Sequence, residues 1–285
     1  MPRKLVIISG PTGVGKTDYA IELALRYGSP VISCDSRQIY KGMSIGTAVP
    51  DASQLAAVKH YFIQIVPVTC DYTAGRYEID ALELIGRLFA EGHQTLVMAG
   101  GSGFYIDAVC KGFNRMPPSD PALRSELTAR AAGGSDALLE ELRRLDPACY
   151  EVIDRANPRR VIRAIEVCLL SGRPFSSFKL AEPKKRDFDI EKYCLTRPRE
   201  ELYRRIDDRV TAMMDAGLLD EVRSLLPFRS LPALQTVGYK ELFSYLDGES
   251  SLEDAVALIR QHSRNYAKRQ LTWWRRDPSV HWIEM

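Results

Sequence analysis

Leu5-Val-Ile-Ile-Ser-Gly-Pro-Thr-Gly-Val-Gly-Lys-Thr17 decides the fold. From Gly10 onward it satisfies GxxxxGK[ST] at every fixed position. An apolar run, Leu5 to Ser9, precedes the loop. Thr17 to Arg26 follows with Ala20, Leu23 and Ala24 at helical spacing. The order strand, loop, helix is what the motif needs physically. Glycines let backbone N–H groups approach and converge on an anion. The helix start adds the positive end of its dipole. Lys16 supplies a point charge and Thr17 a hydroxyl for Mg2+. Gly10, Pro11, Thr12, Gly13, Val14, Gly15, Lys16 and Thr17 are therefore the candidate phosphate-binding residues. ATP, GTP and an alkyl pyrophosphate present the same charged oxygens, so the loop alone does not choose among them.

Working outward, Val31 to Cys34 is a second short apolar run and closes on Asp35. Tyr61 to Val66 is expected as a third strand and Thr95 to Ala99 as a fourth. Between them, Arg76 to Glu91 is expected as a helix with Ile79, Leu82, Ile85 and Phe89 inward. Strands alternating with helices predict an α/β fold, a P-loop NTPase-like doubly wound parallel sheet. Unbroken apolar strands agree with burial on both faces. The pattern changes at Met116-Pro117-Pro118, after which Asp120 to Gly172 reads as helices only and 174–186 as polar and irregular. A strand over Asp189 to Leu195 and one over Val280 to Ile283 bracket a helical C-terminal part. The expected organisation is a core of 1–115 with 187–285, interrupted by a mostly helical insertion, 116–186.

The chain has 285 residues and a net charge of +2. No global basic field exists, so any nucleic-acid contact must come from local patches. The six cysteines are scattered without CxxC spacing, which excludes a zinc framework and suits a reducing compartment. No run approaches the ~18 apolar residues of a membrane span, and residues 1–10 hold too short an apolar run for a secretory signal. A cytoplasmic location without membrane contact is expected, as is a monomer.

In an open α/β sheet, ligands bind beyond the carboxyl ends of the strands. Asp35 sits at such an end, where it can ligate Mg2+, take a proton or cap the next turn. Ser33 to Pro50 (SCDSRQIYKGMSIGTAVP), following GPTGVGKT, resembles the tRNA dimethylallyltransferases, also called tRNA isopentenyltransferases. Further segments agree in order: AGGSGFYIDAV (99–109), NPRRVIRAIEV (157–167), TVGYKEL (236–242) and KRQLTWWRR (268–276). The resemblance implies transfer of a five-carbon allylic group from dimethylallyl pyrophosphate to the exocyclic amine of the adenosine 3′ of the anticodon in tRNA. The loop would then hold pyrophosphate, with Mg2+ on Thr17. It also implies Asp35 as base, Thr12 as a positioning residue, and an arginine over the pyrophosphate. Arg209 is the choice for that arginine, with Arg205 one helical turn earlier as the substitute.

For the tRNA anticodon stem-loop, the resemblance points to Asp35, Ser36, Arg37, Gln38 and Ser102 near the reacting base. It adds Arg124, Arg159, Arg160, Val161, Ile162 and Arg163 in the insertion, and Lys240. Leu258 to Arg276 lacks any acidic residue, and Arg260, Arg264, Lys268 and Arg275 fall within about 80° on a helical wheel. Arg264 and Lys268 therefore join the expected RNA surface. Trp273 and Trp274 are expected in the core. A P-loop nucleotide or small-molecule kinase is the competing reading. It shares the loop and Asp35 but gives the basic C-terminal helix no role.

Overall fold

The computed structural model describes residues 3–114, 116–178 and 183–285. Residues 1 and 2 of the N-terminal stretch, and 179–182 of the polar stretch, lie outside the described residues. The chain divides into two units. One comprises Met1–Cys110 with Lys185–Met285, and the other Lys111–Lys184.

The first unit is built on a parallel sheet. Its described strands are β1 (Lys4–Ser9), β2 (Val31–Ser33), β3 (His60–Tyr61), β4 (Thr95–Ala99), β5 (Asp189–Thr196) and β6 (Val280–Glu284). Their order is β3-β2-β4-β1-β5-β6. Every pairing is parallel, with Val6 opposite Val97 and Ile8 opposite Tyr193. Alternate side chains explain why the strands are apolar throughout. Leu5 and Ile7 of β1 enter one core layer with Leu96 and Met98 of β4. Val6 and Ile8 enter the other with Val97. Both faces are covered, so neither set of positions tolerates a polar residue.

Helix α1 (Lys16–Tyr27) covers the second face with Ala20, Ile21 and Ala24. Two more helices, α2 (Ala52–Ala57) and α3 (Ala74–Ala90), lie in the β2–β4 connection. The inward stripe of α3 is Tyr77, Ala81, Leu84, Ile85 and Leu88, whereas Ile79 is exposed. Of the expected positions, Ile85 and Phe89 are buried and Leu82 packs against the core, so Ile79 alone departs from the stripe. Tyr77 joins them. Its hydroxyl donates to the Ser33 carbonyl at 2.9 Å and its ring stacks on Tyr105 at 4.2 Å. The third strand is also shorter than expected. Phe62 and Gln64 adopt φ of 62° and 50°, which ends extended structure after Tyr61.

Helix α4 (Gly103–Lys111) leads out of the sheet unit. The second unit holds α5 (Pro121–Ala132), α6 (Asp136–Leu145), α7 (Pro147–Val152) and α8 (Pro158–Ser171). Asp120, Asp146 and Asn157 cap α5, α7 and α8 with side-chain oxygens, each before a proline at the first helical position. Its core contains Leu127, Leu138, Leu142, Val161, Ile162 and Ile165. Leu169, farther along α8, is exposed. Lys184 N–H donates to the Lys111 carbonyl at 2.9 Å, so the chain closes this unit where it opened it. Arg186, at the end of the polar stretch, donates to the carbonyls of Val109 and Ala108 at 2.7 and 3.1 Å and so caps α4. The return to the sheet unit carries α9 (Arg199–Asp215), α10 (Leu218–Ser224), α11 (Tyr239–Leu246) and α12 (Leu252–Trp274). Trp274 is in the core and Trp273 packs against it.

Glu166 organises the second unit. Its side chain has no exposed surface, and it accepts from Arg124 at 2.6 Å, Arg163 at 2.7 Å and Ser119 at 2.7 Å. Burial acts against the charge, yet the bonds from Arg163, Ser119 and Arg124 hold its carboxyl at about 2, below the ordinary 4.5. The folded value is depressed, so this stabilisation is complete above pH 4.5 and disappears as pH falls toward 2. Glu166→Gln should cost about 1–3 kcal/mol at neutral pH by leaving the arginines poorly paired. It should also flatten the fall in melting temperature between pH 5 and 2, as followed by circular dichroism.

Candidate active site

Three adjacent strands, β2, β4 and β1, deliver their carboxyl ends to one place. β1 runs into the phosphate loop, β2 into Asp35, and β4 into Gly101 and Ser102. Together with α9 and α12 they line a cleft of about 760 Å³. Thr12, Lys16, Asp35, Arg209, Tyr266 and Gln270 all border it.

Gly13 and Gly15 take φ of 82° and 107°, conformations that cost a side-chain-bearing residue. Four of the loop's carbonyls meet cationic side chains. Lys16 Nζ arches back to the carbonyls of Gly10 and Pro11 at 3.0 and 2.9 Å. Arg205 Nε donates to Gly13 O at 2.8 Å, and Arg197 Nε to Val14 O at 2.9 Å. Val14 is a buried plug beneath the loop, and buried Pro11 has no N–H to offer. These two shape the cradle, while the Thr17 hydroxyl has no hydrogen-bond partner among the described residues and borders the cleft.

Arg209 lies inside the cleft, 3.4 Å from the Thr12 hydroxyl. Burial lowers its guanidinium from the ordinary range, against the opposing pull of Asp35. Both arginines border the cleft, Arg209 against the Thr12 hydroxyl and Arg205 against the Gly13 carbonyl, and neither pairs with Asp207 or Asp208. Lys16 is lowered to about 8, first by burial and then by Arg209, with Asp35 acting in the opposite sense. Tyr266 is pushed up to about 12 by burial and then by Asp35.

Asp35 Oδ1 accepts from the N–H groups of Arg37 and Gln38 at 2.8 and 3.3 Å. The carboxylate therefore caps its turn with one oxygen and borders the cleft. Ser36 N–H donates to Ser102 Oγ at 2.9 Å, tying the β2 and β4 ends together. Arg37 reaches the Pro232 carbonyl at 3.1 Å. Gln38 Nε2 donates to the carbonyls of Thr47 and Ala48 at 3.2 and 2.8 Å.

The far wall, residues 43–50, was not visible as part of a site in the sequence. Glu221 accepts from three consecutive N–H groups, Ser44, Ile45 and Gly46, at 2.8, 2.7 and 3.0 Å, and from Tyr239 Oη at 2.6 Å. A Cβ on Gly46 would stand 2.6 Å from the Tyr239 ring, so only glycine fits there. Gln270 was missed too. Only its place on the apolar stripe with Ala267 and Trp274 signals it.

The outer basic residues divide into free and paired cations. Arg159, Arg160, Lys240 and Lys268 are exposed and have no side-chain partner among the described residues. Arg124 and Arg163 are held by Glu166. Val161 and Ile162, expected to touch RNA, are 1% and 6% exposed and belong to the core of the second unit. Helical periodicity turns them inward while Arg159 and Arg160 turn out. Arg264 was expected to lack a counter-charge. Its Nη1 instead meets both Asp207 oxygens at 2.7 and 2.8 Å, and Arg260 bonds Thr211.

A phosphate loop on a parallel sheet, with a carboxylate and an arginine facing it, defines a phosphate- or pyrophosphate-dependent transferase. The family model described as IPP transferase matches residues 38–277, and the chain belongs to that family. It is 50% identical over 280 residues to tRNA dimethylallyltransferase 2 of Porphyromonas gingivalis, covering 98% of this chain and 93% of that one. It is 46% identical to tRNA dimethylallyltransferase 1 of Phocaeicola vulgatus, over 99% and 94% of the two chains. The solved tRNA isopentenylpyrophosphate transferase of Bacillus halodurans superposes with a TM-score of 0.72 at 37% identity, over 99% and 90%. A eukaryotic dimethylallyltransferase acting on tRNA gives 0.81 at 25% identity, over 99% and 74%. These relatives favour the transferase over the kinase reading.

Lys16 near its titration point generates a prediction. Inorganic pyrophosphate should bind more weakly at pH 9.5 than at pH 7, because the ammonium is lost above about 8. Lys16→Met should bind weakly at both, as read by calorimetric titration.

Proposed function

We propose that this chain transfers the dimethylallyl group of dimethylallyl pyrophosphate to the exocyclic amine of the adenosine 3′-adjacent to the anticodon in tRNA. The observation that carries the reading is the convergence of Lys16, Arg209 and Asp35 on one cleft large enough for more than a phosphate group. An adenine amine is a weak nucleophile, and the leaving group bears several charges. Asp35 answers the first difficulty as the base that receives the amine proton. Lys16, Arg209 and the inward loop amides answer the second by stabilising charge as the carbon–oxygen bond to pyrophosphate breaks. The new carbon–nitrogen bond forms on the same allylic carbon, and free pyrophosphate leaves.

Among the described residues no cluster of three or more His, Cys, Asp or Glu could hold a metal. This suits Mg2+ carried mainly by pyrophosphate oxygens, with Thr17 as a protein ligand. Mg2+ bound there would neutralise part of the leaving-group charge. RNA would engage the free cations Arg159, Arg160, Lys240 and Lys268, while Ser36, Arg37 and Ser102 flank the extruded base. Extruding a loop adenine costs a few kcal/mol, which such phosphate contacts offset. No helix among the described residues is long and apolar enough to cross a membrane.

Labelled dimethylallyl pyrophosphate, Mg2+ and unmodified tRNA should give label on one adenosine beside the anticodon. Absence of label, with ATP consumed in a parallel reaction, would instead support the kinase. Asp35→Ala should lower kcat by about 10²–10⁴-fold while tRNA affinity stays within twofold; equal losses would make it a binding residue. Lys268→Ala should reduce the salt slope of tRNA binding by about one. Arg264→Ala, already neutralised by Asp207, should change that slope less.

A further inference from the structure

Gln270 is 6% exposed, yet its amide lies between two parts of the site that are distant in sequence. Its Oε1 accepts from Thr12 N–H at 2.9 Å, and its Nε2 donates to the Gly101 carbonyl at 3.0 Å. One partner is a donor and the other an acceptor, so only one orientation of the amide satisfies both. A Cβ on Gly101 would stand 2.2 Å from Nε2.

We infer that Gln270 is a positioning residue that sets which amides of the phosphate loop face the anion and fixes the loop to the carboxyl end of β4. An N–H pointed at one strong acceptor is withdrawn from any other. Gln270 therefore turns the Thr12 peptide away from the pyrophosphate and leaves the Thr12 hydroxyl toward Arg209. At its other end it holds Gly101, next to Ser102, which binds Ser36 beside Asp35. One neutral side chain thus keeps the leaving-group cradle in register with the acceptor side. A carboxylate or ammonium could satisfy only one of the two partners, and asparagine is one methylene shorter.

The inference rests on the transferase reading, and the test separates the two. Gln270→Met keeps the volume and loses both hydrogen bonds; Gly101→Ala displaces the same amide from the opposite side. Inorganic pyrophosphate with Mg2+ is titrated into the wild type and both variants. Transfer kinetics, tRNA affinity and melting temperature are measured alongside. Both variants should bind pyrophosphate more weakly and lose about 10–100-fold in kcat, the scale of a misplaced reacting group. The tRNA dissociation constant should stay within twofold and melting within a few degrees. Wild-type pyrophosphate binding and kcat in Gln270→Met would show that only volume matters and overturn the inference. A parallel loss of melting temperature, tRNA affinity and kcat would make Gln270 a general core residue and overturn it as well. If the wild type labelled no RNA, the transferase reading would fail, and the pyrophosphate titration would still decide the role of Gln270.

Discussion

A backbone that turns its N–H groups toward an anion must turn its carbonyls away from it, and those carbonyls need donors of their own. Much of this structure follows from that constraint. Four carbonyls of the loop meet three cations, Lys16 from the loop itself and Arg197 and Arg205 from the segment around α9. The donors are charged, so each bond is stronger than a neutral one. Lys16 and Arg205 also border the cleft. Arg197 lies just before α9 and Arg205 within it, which ties that helix to a loop nearly two hundred residues earlier.

The loop, the sheet and the order of their elements were legible because each rests on local chemistry. Glycine placement, a lysine at a helix start and unbroken apolar strands need no knowledge of the rest of the chain. In α3, Ile85 and Phe89 were legible as core, whereas Tyr77 was not, because it sits inside for a hydrogen bond that only the folded chain provides. The third strand was overextended because nothing in Phe62 or Gln64 announces a left-handed backbone. Asp35 was legible as a strand-end carboxylate, but its cap on Arg37 and Gln38 was one of three open readings.

The charge reading failed in an instructive way. A stretch of α12 without acidic residues looks like a bare cationic stripe. Asp207 supplies the missing charge from 57 residues away. The insertion shows the same effect, where buried Glu166 claims Arg124 and Arg163. Residues such as Glu221 and Gln270 were invisible for a related reason: their partners are backbone groups, which carry no sequence signature. Arg159 and Arg160 point outward because helix phase alone decides it.

Lys184 and Lys111 join by a backbone hydrogen bond where the helical unit begins and ends. For the sheet unit, the whole excursion between them is equivalent to a short turn. The entropy of closing that turn is set by its two pinned ends and not by the seventy-odd residues between them. The helical unit is therefore a graft. Its length, and the surface it presents, can change over evolutionary time without re-registering a single strand of the catalytic sheet.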